Sequence, residues 1–365
     1  ASVPLPLFDN SAMDGYAIRL ADIAGDGPWR LPVVGRIAAG DAGAEPLTEG
    51  GAVRIFTGAP VPPGCDAVVM QEMVRLEGDA IWLDRCPRLN ENIRRAGEDL
   101  VAGAEIMRAG RCIGPRAAAL LAASGCGEVA VRRRIRVAFF STGSELRTPG
   151  TPLASAQIWN SNRYHLHGSL NLPWVETIDL GNIPDRPDQM QHVLEHASRE
   201  ADLVVTTGGV SVGVEDHLPA VLRAAGADIH VMKVAMKPGK PLVIGRIGSA
   251  IYLGLPGNPV SAFVTWYVIG ARIAEALAGL TDAAPRRFVV RSGFDRLRHP
   301  GRCEFLPVRL GNYDGHGTRT AEIATSQVSH RLALLEDADG LLLIPSETDR
   351  IRRGDMLEFL PFGDA

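Results

Sequence analysis

Three lysines, a double-glycine loop and a set of dispersed carboxylates are the groups in this sequence best equipped for chemistry. Lys233, Lys237 and Lys240 lie around a Pro-Gly turn in "KVAMKPGKP". A solvated turn is the usual fate of such a cluster. Beyond a strand end, though, it makes a compact receptor for a phosphate or another tetrahedral oxyanion. In "TTGGVSVGVEDH", Gly208 and Gly209 follow a strand-like run, "DLVVT", as glycines do where phosphates approach the backbone. No lysine follows them, as one would in a nucleotide P-loop; Glu215 and Asp216 stand there instead. In "GLPGNPVSAFV", Asn258 can cap a helix that begins at Pro259. Capping does not account for Pro256 and Gly257, which stiffen the loop and let a ligand come close.

The acids complete the set: Asp14 in "FDNSAMDGYA", Asp99 in "AGEDL", Glu145 in "STGSEL", Asp185 in "NIPDRPD" and Asp216 in "GVEDH". Asp185 and Asp216 each have a plainer reading as helix N-caps. Acids beside a phosphate loop otherwise make sense if Mg²⁺ bridges carboxylate and phosphate oxygens. The segment "HVLEH" matches a zinc-protease pattern, but Met190, Val193, Leu194 and Ala197 form the apolar stripe of its helix. That leaves His192, Glu195 and His196 on the solvated face. His165 and His167, two apart on a possible strand, are an equally weak metal signal. Spacing alone therefore leads to an α/β enzyme that handles a phosphorylated ligand and a divalent ion.

Elements must hold these groups. The middle of the chain alternates strand-like runs (134–140, 174–180, 202–206, 227–234, 241–247 and 250–255) with helical patterns at about 186–200, 216–225 and 259–278. Such alternation implies a mostly parallel sheet with helices on both faces, and ligands beyond the carboxyl ends of its strands. Residues 20–95 read as β-rich, "GPRAAALLAASGCG" as a short helix closed by Gly125 or Gly127, and residues 285–365 as a small β-barrel. A linker falls near Pro285.

Bulk properties exclude other classes. A chain of 365 residues needs two to four domains, and a net charge of −4 gives no reason to expect nucleic acid or a membrane surface as partner. Five scattered cysteines without a CxxC pair argue for reduced thiols and a cytoplasmic location. The longest charge-free apolar run, Val260 to Ala271, is shorter than the roughly 20 residues a bilayer needs. The abrupt opening, "ASVPLPLFDN", fits an upstream segment having been trimmed.

Eight stretches occur in one order: "LPLFDNSAMDGYA", "RIFTGAPVPPGCDAVVMQE", "RRAGEDL", "STGSEL", "WNSNRYHL", "TTGGVSVGVEDH", "VAMKPGKPLVIG" and "YLGLPGNPVSAFV". Together they closely resemble the molybdopterin molybdenumtransferase family, to which a domain of gephyrin is related; the likeness runs from about residue 4 to 346. The resemblance implies an extended helical linker domain (1–20 and 96–133), an inserted β-rich domain (21–95), a molybdopterin-binding α/β domain (134–284) and a C-terminal β-barrel (285–365). It implies a homodimer whose site joins the central domain of one subunit to the N-terminal part of the other. It also implies the reaction: molybdate enters adenylylated molybdopterin, AMP leaves, and Mg²⁺ is required. An adenylyltransferase and molybdoenzyme chaperones are the further partners it suggests.

Carried over by motif, the functional positions are Asp14, Thr57, Asp99, Glu145, Asp185, Asp216, Lys233, Lys237, Pro256, Pro259 and Ser329. The expected catalytic acids are Asp14, Glu145, Asp185 and Asp216, with the last three as metal ligands. Thr57, Asp99, Gly208, Gly209, the three lysines, Pro256, Gly257, Asn258, Pro259 and Ser329 are the expected substrate contacts. Two departures stand out: Ser144 occupies a position where the family commonly has Asp, and the family's N-terminal helix is absent before "LPLFDNSAMDGYA". An adenylyltransferase and a gephyrin-like scaffold are the alternatives. The long flanks speak against the first, and the retained acids and lysines against the second.

Overall fold

Short apolar runs broken by Gly and Pro fold as strands near the N-terminus. A computed structural model of the chain describes residues 1–42, 45–210, 218–281, 286–323 and 332–363. It divides into two units, Ala1–Ala130 and Val131–Ala365. In the first, β1 (Gly15–Ile18), β2 (Trp29–Ile37), β3 (Ala52–Ile55), β4 (Ala67–Met70), β5 (Val74–Glu77) and β6 (Ala80–Leu83) form a sheet of order β4-β1-β3-β2-β6-β5. Alternation splits its core in two. Tyr16 and Ile18 pack with Leu31 and Ile81, while the intervening Ala17 packs with Ile37 and Ile55. Helix α1 (Pro115–Ala123) ends at Ser124, and Gly125 takes the left-handed conformation, φ +76°, that closes it.

The second unit holds the expected α/β sheet. Its strands are β7 (Ile135–Thr142), β8 (Val175–Ile183), β9 (Leu203–Thr207), β10 (Asp228–Lys233), β11 (Pro241–Ile247) and β12 (Ala250–Leu255), in the order β8-β7-β9-β12-β11-β10. The first four in that order pair parallel; β11 pairs antiparallel with both β12 and β10. Alternation along β7 again sorts the faces. Val137 and Phe139 pack against α2 (Ser161–Ser169) and the helix that starts at Pro259. Ala138 and Phe140 pack against α3 (Pro187–Glu200) and α4 (Leu218–Ala224).

That last helix runs from Pro259 to Ala278, as α5 (Pro259–Thr265), a π-turn (Trp266–Gly270) and α6 (Ala271–Ala278). By length and composition it could cross a membrane. Here Ala262, Trp266 and Ala274 are buried in the core of the α/β layer, which accounts for its apolar face. On α3, Met190, Leu194 and Ala197 are buried and His192 and His196 exposed, as the apolar stripe requires.

His165 and His167 do not lie on a strand. They belong to α2, because Asn160 caps that helix by accepting from the Arg163 N–H (3.1 Å) while Leu166 and Leu170 supply its buried contacts.

The C-terminal strands close into a five-stranded barrel: β13 (Phe288–Ser292), β14 (Cys303–Tyr313), β15 (Arg319–Glu322), β16 (Gly340–Ile344) and β17 (Met356–Pro361). Their cyclic order is β14-β15-β13-β17-β16 and back to β14. A two-residue strand, Met236–Lys237, leaves the α/β layer to pair parallel with Cys303 and Glu304 of the barrel.

Candidate functional site

Four strands of the α/β sheet deliver their following loops to one cleft. Its volume is about 530 Å³, and its walls include Thr142, Gly143, Glu145, Asn162, Asp185, Gly208, Gly209, Pro256, Gly257 and Asn258. The loops fit because glycines let them approach. Gly208 has φ +88°, and a Cβ there would stand 2.5 Å from the Thr142 carbonyl oxygen; a Cβ at Gly257 would make only an ordinary contact, 3.6 Å, with the Gly208 Cα. The Gly208 N–H donates to Leu255 O (3.1 Å), fastening the loop after β9 to the end of β12. From below, Asn162 of α2 donates to Gly257 O (2.9 Å), and its own Oδ1 is buried without a partner.

Among the described residues, two acids face this cleft. Asp185 follows β8 and accepts from the Thr142 hydroxyl and from the Ser144 N–H (3.0 Å), while its own N–H donates to the Ser144 hydroxyl (3.4 Å). It does not cap α3; Arg186 precedes that helix and Pro187 begins it, without a side-chain cap bond. The carboxylate is instead recruited across the sheet to β7, which is close in space and remote in sequence. Each oxygen takes one donor and keeps a free lone pair. Glu145 folds back over Gly143, so that a Cβ at Gly143 would meet its carboxylate oxygens at 2.7–2.9 Å. Ser144 thus acts as donor and acceptor for Asp185 rather than as a further acid. Among the described residues no three His, Cys, Asp or Glu side chains gather as a metal cage. Mg²⁺ does not require one, being held by one or two carboxylates together with substrate phosphates, and Glu145 and Asp185 fit that donor set.

In the loop after β12, Asn258 caps α5 as expected: its Oδ1 accepts from the Ser261 N–H at 3.1 Å. Pro259 occupies the first helical position and lines a separate cavity with His165 and Phe263. Lysines do not line the cleft. Pro241, one residue after Lys240, does. Lys233 and Lys240 are exposed, and Lys237 is fixed by a salt bridge to Glu304 (3.1 Å).

The remaining expected positions lie in the first unit. Asp14 immediately precedes β1 and Thr57 follows β3, its antiparallel neighbour, so the ladder brings the two together. The Asp14 carboxylate accepts from the Thr57 N–H (2.8 Å) and hydroxyl (2.7 Å). Those two bonds hold its pKa below the ordinary carboxylate value. Beside them Arg36 and Arg54 each stand over the Phe56 ring, at 4.8 and 5.1 Å. Asp99 is exposed, and its N–H donates to Leu5 O (3.0 Å). Asp216 and Ser329 lie outside the described residues.

Reading the residues alone missed Thr142, Asn162 and Glu304. The first two sit inside motifs already singled out, "STGSEL" and "WNSNRYHL", where a hydroxyl or amide beside a glycine loop was the available signal. Glu304 had none.

A glycine-lined cleft beyond parallel strand ends, with the carboxylates of Glu145 and Asp185 in it and lysines on the adjoining loop, stands where α/β proteins of this class take a small-molecule ligand. Comparison with known proteins agrees. Residues 1–125 match the "MoeA N-terminal region (domain I and II)", residues 138–275 a "probable molybdopterin binding domain", and residues 289–362 the "MoeA C-terminal region (domain IV)". The chain is 37% identical over 364 residues to a molybdopterin molybdenumtransferase of Haemophilus influenzae, covering 99% of this chain and 89% of that one. It is 36% identical to molybdopterin molybdenumtransferase 2 of Mycobacterium tuberculosis, over 98% and 89%. A solved molybdopterin biosynthesis MoeA protein from Pyrococcus horikoshii superposes with a TM-score of 0.84 at 28% identity, covering 99% of this chain and 89% of that one. The chain belongs to the molybdopterin molybdenumtransferase family.

Proposed function

We propose that this protein inserts molybdate into adenylylated molybdopterin, releasing AMP and giving the molybdenum cofactor, as a cytoplasmic homodimer. One observation carries the reading: Glu145 and Asp185 share a cleft with glycine loops after β9 and β12, in a chain matched by all three family regions. Backbone N–H groups at Gly209 and Gly257 receive the ligand's phosphates, while the Gly208 N–H stays on Leu255 O. Lys233, Lys237 and Lys240 supply the positive charge for phosphate or for the molybdate dianion.

Glu145, Asp185 and Asp216 would hold Mg²⁺, which would supply charge neutralisation for the phosphates and Lewis-acid polarisation. Thr142 and Ser144 keep Asp185 turned into the cleft. Asp14, Thr57, Asp99 and Ser329 are the proposed further contacts of the family site. The adenylyltransferase alternative makes the pterin–AMP bond rather than breaking it. The scaffold alternative gives no role to the acids.

The deciding experiment incubates the protein with adenylylated molybdopterin and follows AMP. Release should depend on molybdate and stop in excess chelator. AMP production that ignores molybdate would remove the transferase reading, and undiminished turnover in chelator would remove the metal.

A further inference from the structure

Lys237 is the lysine of its cluster that the structure holds in place, and the holder comes from the barrel. We infer that Glu304 is a positioning residue that aims the Lys237 ammonium at the anionic substrate; this rests on the reading of Lys237 as a substrate contact. Glu304 is 3% exposed and its Oε1 meets both Lys237 Nζ (3.1 Å) and Arg296 Nη2 (2.9 Å), while Arg298 Nε stands 3.6 Å from Oε2.

One carboxylate thus faces three cations. It cannot neutralise them; it lets them sit together and leaves positive charge in excess. A buried carboxylate is costly unless paired, and this one is paired well enough to stay ionised despite its burial. Lys237 remains 39% exposed along its side chain, and an ammonium with one donor on Glu304 has two left for a ligand.

The backbone does not need this pair. Lys237 sits opposite Glu304 in a parallel bridge, and the Cys303 N–H donates to Ala235 O at 2.9 Å. The lysine Cα is therefore fixed by main-chain bonds. What Glu304 adds is the direction of the side chain, which otherwise rotates freely in water.

The test compares Lys237→Ala, Glu304→Gln and the double variant, reading kcat and KM of AMP release and calorimetric Kd for molybdate and for AMP. Lys237→Ala should raise KM or Kd about tenfold or more. Glu304→Gln should reproduce that rise with kcat within about twofold, and the double variant should be no worse than Lys237→Ala. If Glu304→Gln does not fold, Glu304→Asp decides. It keeps the charge for the arginines but withdraws the carboxylate by about 1.5 Å, one bond length, and should raise KM likewise.

Additive effects in the double variant would overturn the inference. So would normal binding in Glu304→Gln, or in the Asp variant where that is the one that folds, while Lys237→Ala is impaired. In either case wild-type AMP release leaves the functional reading standing. Unchanged binding in Lys237→Ala removes the lysine's role and the inference with it, whereas a wild type without molybdate-dependent release removes the reading itself.

Discussion

At the scale of single residues, Asp185 separates charge from geometry. Its carboxylate is exposed and accepts from Thr142 and Ser144, so its hydrogen bonds orient it without neutralising it. Asp185→Asn keeps one acceptor oxygen and the shape. It should melt within a few degrees of the parent but release AMP roughly a hundredfold more slowly, the scale of a lost acid–base or metal-binding group. Near-normal turnover in that variant would reduce Asp185 to a loop brace. The same logic explains Ser144. A serine suffices where the position braces a neighbouring acid, because an N–H and a hydroxyl oxygen are all that Asp185 uses there.

At the scale of elements, the cleft depends on loops that pass close to one another, and Gly208 is the tightest passage. Its φ of +88° already disfavours a side chain, and a Cβ would also press on the Thr142 carbonyl at 2.5 Å. Gly208→Ala should therefore destabilise the α/β layer by at least about 1–2 kcal/mol, the left-handed penalty alone. It should also weaken AMP binding, since relief of the clash must open the cleft. Chemical denaturation and calorimetry on the same sample would show both; a variant as stable as the parent would mean that the loop has another relaxed form. Gly257 offers a control, because its modest contact with the Gly208 Cα, 3.6 Å, is ordinary van der Waals distance.

For the whole molecule, stability should carry the signature of one buried imidazole. Among the described residues neither ring nitrogen of His165 has a partner, and neither reaches solvent; burial pushes its pKa from 6.5 down to about 4. Between those values the unfolded chain binds a proton that the folded chain refuses. Stability should accordingly be level above pH 6.5 and fall as the pH drops toward 4, by up to roughly 3 kcal/mol at 1.36 kcal/mol per pH unit.

Carboxylates with lowered pKa, such as Asp9, Asp202 and Glu304, add their own losses at lower pH, where they protonate in the unfolded chain. The interval from pH 6.5 to 5 isolates the histidine. Denaturation curves of His165→Phe should lose the slope there; an unchanged slope would assign it elsewhere. The proposed homodimer is checked at the same scale, since the protein should sediment at twice the 39.0 kDa chain mass.

The sequence by itself determined whatever is local. Strand alternation along 135–142 sorts Val137 from Ala138, Asn258 caps the helix that starts at the next residue, and Gly125 closes another; each follows from a fixed period or a backbone angle. The apolar stripe of α3 likewise put His192 and His196 on the solvated face before any fold was known, and they are exposed there. The order of eight stretches then identified the family, because ordered motifs carry more information than their separate chemistry.

Only the tertiary structure decided what lies beside what. Asp185 was legible as an acid with two open readings, cap or site, and only the fold discards the cap, because its partners Thr142 and Ser144 are on a neighbouring strand end more than forty residues away. Asn162 reaches Gly257 across 95 positions, and Glu304 holds Lys237 from a different layer of the fold. No local spacing encodes such pairs. They are fixed by the order in which strands join the sheet and by the single short strand at Met236–Lys237 that carries the lysine to the barrel.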